Sequence, residues 1–291
     1  RARTSTGNTL FQARISQRRF DNQYSALSCA KNQRTFVSRK MAGVSVLRSS
    51  VWPLPSLVAH RGAGFLAPEN TLTAFVTAKE FGCRAVEFDV QLTADGVLVL
   101  SHDLELGRVI DGIGFVGELS SADLKLLRVK NPHQPQQDSA LVCFLQEAVE
   151  VCSTLRLAMN VELKPVSGRE AELAERVAVF LRKAKVDVPL LVSSFSTKCL
   201  VELRKRSPET PCGFLFEEPE CDWLTAANAI QARTVHPHKD LVTPEMIETA
   251  HKHGLGVMAW TVDDVEEAKA LIKIGADAIC TNRPDILKTI F

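Results

Sequence analysis

The feature that most constrains the fold is a regular alternation of short apolar runs and amphipathic stretches, which continues from residue 56 to the C-terminus. Eight runs resemble buried strands, at 57–60, 84–90, 157–163, 189–194, 211–216, 233–236, 255–261 and 277–280. Seven stretches between them have helical periodicity, at 70–81, 143–153, 169–185, 197–206, 221–229, 243–252 and 264–274. Strands that alternate with helices predict a parallel sheet, either closed into a barrel or open and doubly wound.

The placement of polar residues distinguishes these two folds. Polar or functional side chains stand at or just past the ends of the strand candidates: His60, Glu87, Asp89, Glu162, Lys164, Ser194, His236 and Trp260. A barrel gathers the carboxyl ends of all its strands around one mouth, whereas an open sheet spreads them along an edge. We therefore predict a (β/α)₈ TIM barrel.

One segment departs from the plain repeat. Residues 84–103 contain two strand-like runs joined by Asp-Gly at 95–96, which is typical of a two-residue hairpin turn. Such a turn places Asp89 directly opposite His102, and Glu87 shares the same face because side chains two apart on a strand point the same way. We predict that a β-hairpin departs from the barrel after the second strand and brings His102 beside two carboxylates.

The acidic residues on these strands suggest a metal site. Glu87 and Asp89 lie two positions apart in an apolar run, where two adjacent carboxylates are costly unless a cation or proton neutralises them. Glu162 ends another apolar strand candidate. Three carboxylates without a cysteine ligand suit one hard divalent cation, Mg²⁺ or Ca²⁺, rather than zinc.

Histidines and basic residues complete the predicted site. A lone histidine is more often structural, but His60 and His102 both stand at strand ends near the acid pair and can transfer protons near neutral pH. Arg61 and Lys164 add the positive charge that a phosphate group requires. A metal, two histidines and two cations indicate metal-assisted hydrolysis of a phosphoester.

Several motifs occur in a characteristic order: His60-Arg61-Gly62, Pro68-Glu69-Asn70-Thr71, Glu87-Phe88-Asp89, Thr93-Ala94-Asp95-Gly96, His102-Asp103, Asn160-Val161-Glu162-Leu163-Lys164-Pro165, Ser193-Ser194-Phe195, Trp260-Thr261-Val262 and Gly275-Ala276-Asp277. From about residue 57 to the C-terminus the chain resembles the glycerophosphodiester phosphodiesterase family, especially its compact cytosolic bacterial members. One departure is Val109, which stands where the family usually has threonine.

The resemblance implies a (β/α)₈ barrel of the phospholipase C-like phosphodiesterase type. It implies hydrolysis of glycerophosphodiesters, such as glycerophosphocholine, glycerophosphoethanolamine and glycerophosphoglycerol, to sn-glycerol 3-phosphate and an alcohol. Two alternatives stay open at this point. One is a lysophospholipase D-like activity on lysophospholipids, and the other is a non-catalytic barrel that binds a phosphorylated metabolite.

The resemblance also assigns roles by position. It implies Glu87, Asp89 and Glu162 as ligands of one divalent cation, His60 and His102 as the acid/base pair, Arg61 and Lys164 as phosphate-binding residues, and Trp260 as part of the substrate pocket. The sequence does not order the two histidines. We take His60 as the base and His102 as the acid.

The N-terminal part of the chain is set apart by composition. Residues 1–45 are rich in Arg, Ser, Gln and Asn without an apolar period, so we expect a disordered or non-native extension; a transit peptide is the alternative. The phosphodiesterase domain is then expected over residues 46–291.

Charge and cysteine content limit the partners. Residues 1–50 hold ten basic residues and one acidic residue, which leaves 25 basic and 33 acidic residues for the rest of the chain. This acidic body argues against nucleic acid as a partner. The sequence has no apolar run of about eighteen residues, so we expect no stable membrane insertion. Eight scattered cysteines without a Cys-x-x-Cys pair indicate a reducing compartment, and we expect a cytoplasmic protein. The oligomeric state is left open.

Overall fold

The computed structural model describes residues 52–291, so the expected extension at residues 1–45 lies outside the described residues. Within this range eight parallel strands form one sheet: β1 (Leu57–Ala59), β2 (Ala85–Leu92), β6 (Ala158–Leu163), β7 (Leu190–Ser194), β8 (Cys212–Phe216), β9 (Thr234–Pro237), β10 (Gly256–Ala259) and β11 (Ala278–Thr281). They follow the order β1-β11-β10-β9-β8-β7-β6-β2, and β2 pairs back with β1. The sheet is therefore closed, which confirms the predicted barrel.

The seven predicted helices are all present between the strands. They are α1 (Leu72–Glu80), α3 (Leu145–Leu155), α4 (Glu170–Lys183), α5 (Thr197–Arg206), α6 (Trp223–Ala229), α7 (Pro244–Lys252) and α8 (Val265–Ile274). Two short helices were not predicted: α2 (Ser121–Leu124) and α9 (Pro284–Leu287). No helix among residues 52–291 is long and apolar enough to cross a membrane.

Apolar side chains fill both sides of the barrel wall below the mouth. The larger cluster lies between strands and helices and includes Phe75, Phe88 and Phe214, all buried. A smaller cluster inside the barrel includes Val58 and Met258. Because apolar packing occupies these positions, the polar residues at the strand ends are left to line the mouth.

The hairpin exists, but its predicted register is wrong by one residue. Strand β3 (Leu98–Leu100) pairs antiparallel with β2, and the backbone N–H of Ser101 donates to the carbonyl oxygen of Asp89 at 3.2 Å. Asp89 therefore lies opposite Ser101 and not opposite His102. The turn is one residue longer than predicted because the Thr93 hydroxyl accepts a hydrogen bond from the Val97 N–H, while Gly96 adopts a left-handed φ of 75°.

Residues 103–142, here called the excursion, contain ordered structure of their own. A short antiparallel pair joins β4 (Arg128–Val129) to β5 (Ala140–Leu141). Beneath it lies a separate apolar cluster that includes Val109, Ile110 and Val116. The excursion therefore has a core of its own, and its residues Leu104, Leu106 and Phe115 line one side of the cavity at the mouth.

Candidate active site

Three carboxylates meet at the mouth between two neighbouring strands. Glu87 and Asp89 share one face of β2, and the parallel register places Asp89 beside Glu162 of β6. One carboxylate oxygen from each residue lies within 4.8 Å of the others, and all three residues are buried. The structure thus brings together the three acids that the sequence suggests as metal ligands.

The donor set of this triad fits a divalent cation. Glu87 Oε1 is buried and accepts no hydrogen bond from any residue of the described range. Burial, together with the neighbouring carboxylates of Asp89 and Glu162, raises the pKa of Glu87 well above its ordinary value. Both observations mark a place where positive charge is missing, and three carboxylate oxygens are the ligands that Mg²⁺ and Ca²⁺ prefer.

Two fixed cations border the carboxylates. The ammonium Nζ of Lys164 lies 2.5 Å from Glu162 Oε1 and 3.4 Å from Asp89 Oδ1. The guanidinium Nε of Arg61 lies 3.8 Å from Asp89 Oδ2. Burial alone would lower the pKa of Lys164, but Glu162 and Asp89 raise it above its ordinary value, so the amine stays charged.

His60 follows β1 and is oriented by an amide. Its Nδ1 lies 2.7 Å from Asn282 Oδ1, and the Asn282 Nδ2 donates to Asp263 Oδ2 at 3.0 Å. Since the amide oxygen must accept, Nδ1 of His60 carries the hydrogen and Nε2 presents a lone pair, 3.9 Å from Glu87 Oε2. Burial lowers the pKa of His60 to about 3, with a further contribution from the charge of Arg61. The ring is therefore neutral near pH 7.

His102 follows β3 and is oriented by a carboxylate instead. Its Nδ1 lies 2.8 Å from Asp103 Oδ1, and Asp103 also accepts a hydrogen bond from Arg108. Burial would raise the pKa of Asp103, but its bonds to His102 and Arg108 lower that pKa to about 2. The Asp103 carboxylate thus fixes the orientation of the His102 ring through Nδ1. The two histidines therefore differ in the partner that holds them.

A cavity of about 640 Å³ opens above these groups. Six of the eight residues predicted for the site line it: His60, Arg61, His102, Glu162, Lys164 and Trp260. Trp260 is held by a 2.8 Å hydrogen bond from its indole Nε1 to the carbonyl oxygen of His236. The side chain of His236 itself is fully buried inside the barrel and pairs with the Thr234 hydroxyl.

Sequence reasoning missed residues that position the site. Asn70 appears in the sequence only as part of a motif, directly before Thr71, which caps α1. The Asn70 amide instead makes two hydrogen bonds with Asp89: its Nδ2 donates to Oδ2 at 2.9 Å, and its Oδ1 accepts from the backbone N–H at 3.0 Å. The positioning roles of three further groups were missed as well: Asn282, Asp263 and the Asp103–Arg108 pair. Their partners are distant in sequence or lie outside regular elements.

The chain matches known proteins over most of the barrel. The model of the glycerophosphoryl diester phosphodiesterase family matches residues 60–286. A glycerophosphodiester phosphodiesterase of Caldanaerobacter subterraneus is 30% identical over 231 residues, covering 79% of this chain and 95% of the relative.

Two solved structures show the same similarity in three dimensions. An Oleispira antarctica phosphodiesterase in complex with the product sn-glycerol-3-phosphate has a TM-score of 0.76 and 32% identity, covering 81% of this chain and 96% of that one. A glycerophosphodiester phosphodiesterase from Agrobacterium tumefaciens has a TM-score of 0.67 and 27% identity, covering 80% and 99%. The chain belongs to the glycerophosphoryl diester phosphodiesterase family.

Proposed function

We propose that this protein hydrolyses glycerophosphodiesters to sn-glycerol 3-phosphate and an alcohol, and that it requires one divalent cation, Mg²⁺ or Ca²⁺, held by Glu87, Asp89 and Glu162. The observation that carries the proposal is the buried carboxylate triad beneath a cavity lined by two histidines and two cations. The Oleispira relative, whose structure contains sn-glycerol-3-phosphate as product, supports the same product for this chain.

Arg61 and Lys164 bind the phosphate group of the substrate. Both are positively charged and line the cavity, and each is held in place by carboxylates of the triad. Arginine can bind two phosphate oxygens at once, while lysine acts as a point charge. A bound divalent cation would polarise a phosphoryl oxygen and neutralise part of the charge that develops during the reaction. Trp260 borders the same cavity and limits how the substrate can lie.

His60 acts as the general base. It is neutral near pH 7 and presents the lone pair of Nε2, because Asn282 accepts the hydrogen on Nδ1. It therefore takes the proton of the hydroxyl group that attacks phosphorus.

His102 acts as the general acid. Asp103 orients its ring through Nδ1, and Nε2 gives a proton to the oxygen of the leaving alcohol as the P–O bond breaks. The assignment rests on the difference between an amide partner and a carboxylate partner.

The first experiment is an incubation of the purified protein with glycerophosphocholine, glycerophosphoethanolamine and lysophosphatidylcholine, with Mg²⁺, Ca²⁺ or EDTA. Metal-dependent release of glycerol 3-phosphate from the two deacylated substrates is the expected result. Release of lysophosphatidic acid from the lysolipid alone would instead establish the lysophospholipase D-like activity. A folded protein that turns over none of the three would contradict an enzymatic function and favour a binding barrel.

We further propose that the domain covers residues 46–291 and that it works on a small molecule in the cytoplasm. The family match over residues 60–286 supports the domain. Six buried cysteines are thiols, as expected in a reducing compartment: Cys83, Cys143, Cys152, Cys199, Cys212 and Cys280.

A further inference from the structure

The barrel mouth is divided into two chemically different halves. The strands β11, β1, β2 and β6 are consecutive around the barrel and carry the histidine, carboxylate and cationic groups described above. The strands β7, β8, β9 and β10 form the opposite half. There the cavity is lined by Phe195 after β7, Glu217 after β8 and Trp260 after β10.

Two of these three residues are in contact. The rings of Phe195 and Trp260 meet edge to face, with centroids 5.5 Å apart and planes at 87°. Because β8 lies between β7 and β10 in the barrel, Glu217 follows a strand that lies between those carrying the two aromatic side chains. This half of the mouth thus combines two large π-surfaces with a carboxylate.

The excursion adds a second wall of the same character. Two of its segments, 104–106 and 114–116, are joined by backbone hydrogen bonds. The Leu106 N–H donates to the carbonyl oxygen of Gly114 at 2.9 Å, and the Val116 N–H donates to the carbonyl oxygen of Leu104 at 2.8 Å. Glu105 faces Phe115 across this pairing, and both line the cavity.

The charges of the cavity are unevenly satisfied. Each cation that lines it has carboxylate partners: Arg61 with Glu69 and Asp89, Lys164 with Glu162 and Asp89, and Arg108 with Glu69 and Asp103. Neither Glu105 nor Glu217 has an ion-pair partner within residues 52–291. The half of the cavity that follows β7–β10 is therefore aromatic and carries the carboxylate of Glu217, and it borders Lys164, whose Nζ lies 5.4 Å from the centroid of the Phe195 ring.

We propose that this half, formed by Phe195, Glu217 and Trp260, binds the leaving alcohol and selects an alcohol that carries a positive charge, a quaternary ammonium of the choline type above all. Aromatic faces attract cations through the ring quadrupole, and a carboxylate adds direct attraction. The inference rests on the proposed function, since it names the class of glycerophosphodiester that this site prefers.

The test compares two substrates that differ in charge only at the head group. Glycerophosphocholine is measured beside its neutral isostere, the glycerophosphodiester of 3,3-dimethylbutanol, and the ratio of their kcat/KM values is determined with Mg²⁺. Glu217→Gln should lower this ratio about fivefold to tenfold, as expected for the loss of one favourable charge interaction. Glu218→Gln is the matched control, because this exposed neighbour does not line the cavity, and it should keep the wild-type ratio.

A second measurement needs no variant. Free choline should inhibit the wild-type enzyme competitively about ten times more strongly than 3,3-dimethylbutanol, which has the same shape without the charge. Equal inhibition by the two alcohols, or an unchanged substrate ratio in folded Glu217→Gln, would overturn the inference. If folded wild-type protein releases glycerol 3-phosphate from neither substrate, the proposed function itself fails. This result differs from a failure of the inference alone, in which both substrates are hydrolysed without a charge preference.

Discussion

Replacement of Asn70 tests how Asp89 is held in the carboxylate triad. Asn70 is buried. Its amide donates a hydrogen bond to the Asp89 carboxylate and accepts a hydrogen bond from the Asp89 backbone N–H. It also adopts a left-handed backbone conformation, with φ at 58°, which asparagine tolerates better than alanine does. Asn70→Ala removes both bonds and adds backbone strain, whereas Asn70→Gly removes the bonds without that strain.

The expected loss follows from these contacts. A hydrogen bond to a charged group contributes about 2 kcal/mol and a neutral one about 1 kcal/mol. Alanine at a positive φ costs roughly 1 kcal/mol more, so Asn70→Ala should lower the free energy of unfolding by about 4 kcal/mol. Glycine avoids the strain but gives the unfolded chain more freedom, so Asn70→Gly should be less destabilising by up to about 1 kcal/mol.

Urea unfolding in EDTA measures both variants without a contribution from bound cation. Asn228→Ala, at an exposed site on α6, is the control and should stay within about 0.5 kcal/mol of wild type. The Mg²⁺ concentration for half-maximal activity should rise about tenfold to a hundredfold in both Asn70 variants, because the ligand Asp89 is no longer oriented. Wild-type stability of Asn70→Ala, or a glycine variant less stable than the alanine variant, would refute this reasoning.

Three further predictions address the other parts of the site and the barrel interior. Glu162→Gln should keep the fold but lower turnover by orders of magnitude and raise the metal requirement; wild-type turnover without added metal, measured after EDTA treatment, would contradict the proposed triad. His102→Ala should lower kcat on glycerophosphocholine by about 10²- to 10⁴-fold but have a much smaller effect on bis(p-nitrophenyl) phosphate, whose leaving group needs no acid; equal losses would exclude the acid role. Burial lowers the pKa of His236 to about 3, below its unfolded value of 6.5, so the stability due to the neutral ring is complete above pH 6.5 and is lost as the pH falls toward 3. The free energy of unfolding of wild type should therefore fall between pH 7 and pH 5 by about 2 kcal/mol more than that of His236→Asn, and parallel pH profiles of the two proteins would disprove this.

Much of the fold was predictable because its signals are local. Each barrel strand is a short apolar run and each helix has an apolar face, so their positions follow from periodicity. The convergence of His60, Glu87 and Glu162 was predictable as well, since the strands of a parallel barrel end at one mouth.

The errors arose at the ends of strands and helices, where single residues decide the local structure. Thr93 and Gly96 favour a three-residue turn over the two-residue turn that an Asp-Gly pair suggests, which shifts the hairpin register by one residue. His102 reaches the cavity nevertheless, because β3 ends at Leu100 and Asp103 orients the ring from outside the strand. Asn70 and Thr71 are both good helix caps, so the sequence could not reveal that one of them supports Asp89 instead.

The charge balance at the mouth explains why a monoanionic diester suits this site. Three buried carboxylates carry one negative charge more than the two fixed cations Arg61 and Lys164 supply, and burial together with the neighbouring carboxylates raises the pKa of Glu87 well above its ordinary value. One divalent cation would turn this excess into a single positive charge, which matches the single negative charge of a phosphodiester.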